Sequence, residues 1–235
     1  MDRHQPVKRK GLIIAVDGPS GVGKSTTCKA LARNLGYRYV DTGAMYRAAA
    51  LQSELNDVSL EDHNGVEKLC TELNLDFQED SRGVRILLDG KDVSEPIRAP
   101  GIGEKASRIS RFPEVRRIMV QRQRELGEGG ALVMEGRDIG SVVFPDADVK
   151  IFLDADSGER AQRRRREWVE KGITMPEYEV LKDIETRDYR DSTRDIAPLK
   201  ISEGAVRIDT THLTLEEVVN EIMKIVEKEL KRHEH

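Results

Sequence analysis

Cysteine, aromatic residues and long apolar runs are all scarce in this chain of 235 residues, and each scarcity removes a class of protein. Two cysteines, Cys28 and Cys70, supply neither the spacing of a metal site nor a disulfide framework, so both are expected to be buried or inert thiols. No apolar run approaches the roughly 20 residues that span a bilayer, and the segment Met1 to Lys10 lacks the apolar stretch of a signal peptide. The expectation is a cytoplasmic protein with no membrane partner. Aromatics make up 4%, charged residues 35%, and the formal net charge is −4. That balance suits a well-solvated globular surface and argues against a general nucleic-acid binder. The length fits one large core, alone or with small insertions.

What is present begins with Gly18-Pro19-Ser20-Gly21-Val22-Gly23-Lys24-Ser25, which follows the apolar run Leu12 to Val16 and opens a helix-like segment from Thr26 to Leu35. This is the spacing and setting of a P-loop. A loop bent by glycines turns successive backbone N–H groups inward as an anion nest, and the following helix adds the positive end of its dipole. Lys24 supplies a mobile charge for the β and γ phosphates, and Ser25 offers a hydroxyl to Mg²⁺. Residues 18 to 26 are therefore expected to bind a nucleoside triphosphate.

Short apolar or β-branched runs at 12–17, 37–40, 131–135, 149–153 and 205–209 alternate with longer amphipathic segments. That order predicts an α/β fold with a parallel sheet flanked by helices. Ligands in such folds lie beyond the carboxyl ends of the strands, where Asp17, Asp41, Glu135 and Asp154 fall. Thr214 to Leu230 carries apolar residues at helical spacing and reads as a packing helix. Between Leu75 and Val93 the alternation breaks: Val84 to Leu88, Asp89-Gly90 and Lys91 to Val93 read as a hairpin within an antiparallel insertion. A surface excursion and a substrate-side subdomain fit that insertion equally well.

Charged constellations fill in the rest. Asp41-Thr42-Gly43-Ala44-Met45-Tyr46-Arg47 enters a helix, with Thr42 placed to be its N-cap and Arg47 able to reach an anionic group. Glu135-Gly136-Arg137-Asp138-Ile139-Gly140 sets adjacent opposite charges at a strand end and favours an active-site loop. Glu135 is suited either to orient a Mg²⁺-bound water or to hydrogen-bond the loop backbone. Asp156 to Glu159 reads as a capping box for a helix carrying Arg160, Arg163, Arg164, Arg165 and Arg166, the first three on one face. In a phosphoryl-transfer enzyme those arginines close over phosphates as a lid. Arg187, Asp191 and Arg194 share a face of a later helical segment, a pattern that a salt-bridged surface also shows.

GPSGVGKST, DTGAMYR, FPEVR, EGRDIG, VFPDA, KIFLDA and RDYRDSTRDIAPL together resemble the bacterial-type cytidylate kinase family, in the right order over nearly the whole chain. The resemblance implies a P-loop NTPase core of the nucleoside monophosphate kinase type. It also implies a short lid near 157–172 and a monophosphate-binding region near 42–116, enlarged by the antiparallel insertion near 75–93. It implies a CMP or dCMP site made by Thr42, Arg47, Ser107, Arg116, Arg137, Asp138, Arg187, Asp191 and Arg194, with Lys24, Arg137, Arg160 and Arg164 acting on the transferred phosphoryl group. Cytosine presents an amino donor beside two acceptors, which suits a carboxylate such as Asp138 next to donors such as Arg116 and Ser107. Two positions depart from common patterns: Glu135 stands where an aspartate is often found, and Ser25 where a glycine sometimes occurs.

The expected reaction is in-line transfer of the ATP γ-phosphoryl group to CMP or dCMP by a monomer. ATP with Mg²⁺ is the donor, and nucleic acid is not a partner. A monoester phosphate has its second pKa near about 6, so the acceptor needs no protein base. Two other classes share the P-loop. A kinase of a small alcohol would use Asp41 or Asp138 as base, and an RNA-binding protein would use the arginine helix to track phosphates.

Overall fold

The computed structural model describes residues 11–80, 83–99, 101–170 and 172–233. The chain divides into two compact units, one made of residues 1–39 and 126–235, the other of residues 40–125.

The first unit is built on a five-stranded sheet. Its strands are β1 (Ile13–Asp17), β2 (Arg38–Asp41), β6 (Leu132–Gly136), β7 (Val149–Asp154) and β8 (Val206–Asp209), in the order β2-β6-β1-β7-β8. β1 pairs in parallel with both β6 and β7, and β7 in parallel with β8. All five residues of β1 and of β6 are buried, as the unbroken apolar run of a strand covered on both faces requires. Every strand expected from the sequence for this sheet is present. β2 lies at one edge and carries the chain into the second unit.

Helices α1 (Lys24–Leu35) and α8 (Leu215–His233) belong to this unit. α8 buries Val218, Val219, Ile222 and Val226 on one side and ends on Lys231, Arg232 and His233, whose charges complement its dipole. α6 (Ser157–Glu170) and α7 (Glu177–Thr193) pack on each other through Ala161, Val180 and Ile184, with Trp168, Met175 and Leu181 around them. Asp156 caps α6 as expected, its Oδ1 accepting from the N–H groups of Gly158 at 2.8 Å and Glu159 at 3.3 Å. The reciprocal half of the box does not form. The Asp156 N–H donates instead to Thr211 Oγ1 at 3.0 Å, and Glu159 takes Arg163 and Arg166 as partners.

The second unit starts with α2 (Thr42–Leu55) and α3 (His63–Glu72). A three-stranded antiparallel sheet follows, β3 (Leu75–Asp80), β4 (Gly83–Leu88) and β5 (Lys91–Asp92), in that order. Leu88 faces Lys91 across a two-residue turn in which Asp89 and Gly90 have φ 51° and 77°, as a type I′ hairpin demands. α4 (Ile102–Ile109) and α5 (Pro113–Gly127) complete it. At the start of α2 the cap is Asp41, whose Oδ1 accepts from the Ala44 N–H at 3.0 Å. Thr42, expected as the cap, is the first helical residue and is buried. Asp41 wins because its β-region backbone lies one residue before the helix, where an Asx oxygen reaches the third N–H.

Both cysteines are buried. Among the described residues no helix is long and apolar enough to cross a membrane.

Candidate active site

The glycine-rich loop follows β1 directly. Gly18 has φ 151° and passes so close to β7 that a Cβ there would lie 2.1 Å from the Leu153 carbonyl oxygen. Gly23, at φ 92°, turns the chain into α1 as its N-cap, with no side chain capping the exposed N–H groups and no acidic residue in the first turn. An uncapped helix N-terminus reached through a left-handed glycine leaves backbone donors and the dipole available to an anion.

Lys24 begins α1 and is only 6% exposed. Its Nζ donates to the carbonyls of Gly18 at 2.8 Å and Pro19 at 2.6 Å, folding the ammonium back over the loop. Burial lowers its pKa to about 7 and the nearby Arg137 charge lowers it too, against the opposing pull of Glu135 and Asp17. Ser25 and Thr26, next along the helix, are exposed. Glu135, at the end of β6, is buried and accepts a hydrogen bond from the Tyr39 hydroxyl. Among the described residues no group of three acidic, histidine or cysteine side chains is placed to hold a metal ion.

The arginines of α6 divide by role. Arg160 is buried, donates from Nε to the Ala155 carbonyl at 3.0 Å and from Nη1 to the Ser20 carbonyl at 3.1 Å, and pairs with Asp188 of α7. Arg164 bonds Ser20 Oγ at 3.1 Å and Asp183 at 2.8 Å, so both reach the phosphate loop. Arg163 turns to the end of β8, where it bonds the Thr210 hydroxyl at 3.1 Å and the Thr210 carbonyl at 2.6 Å. Thr210 Oγ1 in turn donates to the Val22 carbonyl at 3.3 Å. Arg165 and Arg166 point outward, to Glu177 and Glu159.

Beyond β6, Arg137 meets Asp191 of α7 at 2.7 Å, and Arg194 lies 3.6 Å from Asp138. Arg194 stands one residue past the end of α7 and donates to the Ala197 carbonyl at 2.5 Å. Burial works to raise the Asp191 carboxyl, but the charge and hydrogen bond of Arg137 outweigh it and hold the group below its ordinary value. Arg187 shows the opposite balance. Burial, then the charges of Arg164 and Arg137, bring its guanidinium down to about 10. Burial works to lower Arg137 as well, but the charge and hydrogen bond of Asp191, with the charges of Asp188 and Glu135, raise it instead.

The second unit holds the other residues named for the acceptor. Arg47 pairs with Asp41 at 2.7 Å, and its buried Nε has no hydrogen-bond acceptor among the described residues. Ser107 on α4 and the buried Arg116 on α5 are joined through Ser110, whose Oγ donates to the Ser107 carbonyl at 2.8 Å and whose own carbonyl accepts from Arg116 Nη1 at 3.3 Å. The unit thus brings together two pairs, Asp41 with Arg47 and Ser107 with Arg116.

Sequence reasoning missed several of these links. The carboxylates that pair Arg164, Arg160 and Arg137, namely Asp183, Asp188 and Asp191, all stand in α7, on a different element from their partners. Tyr39 and Thr210 carried no signal at all. A π-helical turn over Ile139–Val143, closed by the Val143 N–H to Asp138 carbonyl bond at 3.3 Å and the Phe144 N–H to Ile139 carbonyl bond at 2.7 Å, was also not foreseen.

A glycine loop between the central strand and an uncapped helix, with a buried lysine folded over it, defines a P-loop kinase core. Comparison with known proteins narrows that class. The family model described as cytidylate kinase matches residues 14–228. The chain is 49% identical over 218 residues to the cytidylate kinase of Caldanaerobacter subterraneus subsp. tengcongensis, covering 93% of this chain and 96% of that protein. It is 44% identical over 229 residues to that of Lactobacillus johnsonii, covering 96% and 100%, and 45% identical over 213 residues to that of Carboxydothermus hydrogenoformans, covering 91% and 96%. The chain belongs to the cytidylate kinase family and is a phosphotransferase.

Proposed function

We propose that this enzyme transfers the γ-phosphoryl group of ATP to CMP and dCMP, acting as a cytoplasmic monomer on free nucleotides. The observation that carries the reading is the gathering of cationic side chains at the phosphate loop, with Lys24 and Arg160 buried there and Arg160 and Arg164 both bonded to Ser20. Joining two polyanions requires cations gathered in this way, since their mutual repulsion is the main obstacle to in-line approach.

Residues 18 to 26 cradle the triphosphate, and Lys24 exchanges the Gly18 and Pro19 carbonyls for β and γ oxygens. Ser25 and Glu135 would hold Mg²⁺, which neutralises charge on those oxygens when bound with ATP. Arg160 and Arg164, already tied to Ser20, spread charge from the transferred group. Arg47 and Arg137 hold the acceptor phosphate, the first with a buried Nε that finds no acceptor among the described residues. Arg187 and Asp191 meet the sugar. Asp138, Arg194, Ser107, Arg116 and Thr42 line the base, and the polar edge of cytosine satisfies groups that uracil would leave unpaired. Residues 42–116 form the acceptor region and 157–172 the lid.

Arg137→Ala tests the division of labour. The KM for CMP is expected to rise at least tenfold and kcat to fall, with the KM for ATP within twofold of wild type. Equal weakening of both substrates would remove Arg137 from the acceptor side.

A further inference from the structure

Asp17 ends β1 with a carboxylate that phosphoryl transfer, as described above, leaves without a task. It is 3% exposed, and its two oxygens accept from the backbone N–H groups of Ile139 and Gly140, each at 2.8 Å. Those N–H groups open the π-helical turn Ile139–Val143, where a helical segment has no internal acceptors to offer them. Arg137 and Asp138 immediately precede the turn. Single π-helical turns are rare and concentrate at functional sites, and the first two N–H groups of this one are both taken by one side chain.

The grip leaves little slack. A Cβ on Gly140 would lie 2.7 Å from Ser202 Oγ, 3.4 Å from Lys150 Cδ and 3.5 Å from Asp17 Oδ2, so the backbone of the turn is seated between Ser202, Lys150 and Asp17. Burial brings the carboxyl up to about 6, the Gly140 and Ile139 N–H groups pull it down, Asp138 pushes it up and Lys24 pulls it down. Asp17 also adjoins Gly18, the first residue of the phosphate loop. A carboxylate spent wholly on two backbone donors touches no substrate, and whatever it does it does through the turn.

We propose that Asp17 is a positioning residue, a two-oxygen clamp that fixes the turn after Asp138 and so presents Arg137 and Asp138 to the acceptor nucleotide. The assignment rests on the reading of Arg137 and Asp138 as acceptor contacts.

Asp17→Asn preserves shape but replaces one acceptor oxygen with an N–H₂ group, setting donor against donor at one of the two contacts. Wild type and variant are compared at a pH well above 6, with kcat and KM for CMP, UMP and ATP, and hydrogen exchange followed by mass spectrometry over residues 136–144. The clamp predicts a rise of tenfold or more in the KM for CMP, a comparable fall in the preference for CMP over UMP, an ATP KM within twofold, and faster exchange confined to 136–144. A residue that only stabilised the fold would leave the two KM values moving together. Wild-type protein that fails to use CMP overturns the acceptor reading, and the exchange data then decide the clamp by themselves.

Should Asp17→Asn not fold, Gly140→Ala disturbs the same N–H group with Asp17 intact and should give the same split. Adding Ser202→Ala removes the nearest atom and should bring the CMP KM back toward wild type. Unchanged exchange over 136–144, or equal shifts for ATP and CMP, overturns the proposal.

Discussion

Replacing Lys24 with methionine should make the protein more stable while abolishing its chemistry. Lys24 is 6% exposed, its ammonium donates to two carbonyls, and burial together with Arg137 brings its pKa from 10.5 to about 7. The unfolded chain therefore binds a proton at Lys24 more readily than the folded one between about pH 7 and 10.5, and stability contributed by this residue rises with pH across that window. Below pH 7 the lysine imposes its full cost, because both states are charged and only the folded one is desolvated. An apolar side chain of similar volume removes that cost. Exchanges of buried charge for apolar groups stabilise by about 1 to 4 kcal/mol, and the donors lost to Gly18 and Pro19 set the expectation near about 2 kcal/mol here. For a chain of this size that is a rise in Tm of about 4 to 8 °C. Differential scanning calorimetry without nucleotide, at neutral pH and again near pH 10.5, measures it, and the gap between Lys24→Met and wild type should close toward the upper pH. A lower Tm for the variant at neutral pH, or a gap independent of pH, would refute the claim that the loop holds its lysine under strain for a triphosphate.

Asp191→Asn removes the charge opposite Arg137 and leaves Arg187 among like charges. With side chains 20% and 12% exposed in the Arg137–Asp191 pair, the cost falls somewhat short of a fully buried break, at about 2 to 3 kcal/mol. Since Asp191 is held below its ordinary value, the stability it lends is present above about pH 4 and is lost as pH falls through its folded value. Urea titrations should show the variant and wild type converging in acid and separated at neutrality. Gly18→Ala places a methyl group 2.1 Å from the Leu153 carbonyl oxygen and should cost at least about 3 kcal/mol, read as a lower urea midpoint, with nucleotide binding lost alongside. A Gly18→Ala protein of wild-type stability would mean that β7 and the loop do not approach as described.

The sheet was legible in the sequence because each of its strands is a short apolar run bounded by glycine, proline or charge, and the period of such runs depends only on burial. β4 and the Asp89-Gly90 turn were legible for the same reason, since the two-residue turn has few residues able to adopt its left-handed angles. Helix caps were less so. Asp41 and Thr42 are adjacent and both competent by residue type, and only the structure shows that Asp41 has the extended backbone of the cap. The phosphate loop could be read because its chemistry is contiguous in the chain. The arginine site could be read only as clusters, since Arg137 and Asp191 are 54 residues apart and Arg160 and Asp188 are 28 apart, and helical spacing does not say which carboxylate faces which guanidinium. Asp17 carried no chemical signal of its own. It resembles any acidic residue at a strand end until the N–H groups it holds are seen.

The central claim is that a cytosine nucleoside monophosphate, read by its polar edge, is the acceptor. ADP release from ATP and Mg²⁺, measured with CMP, dCMP, UMP, AMP and GMP offered separately, tests it most directly. Rapid release with CMP and dCMP, and much slower release with the other three, is the predicted result; equal release across the panel, or none, would contradict it.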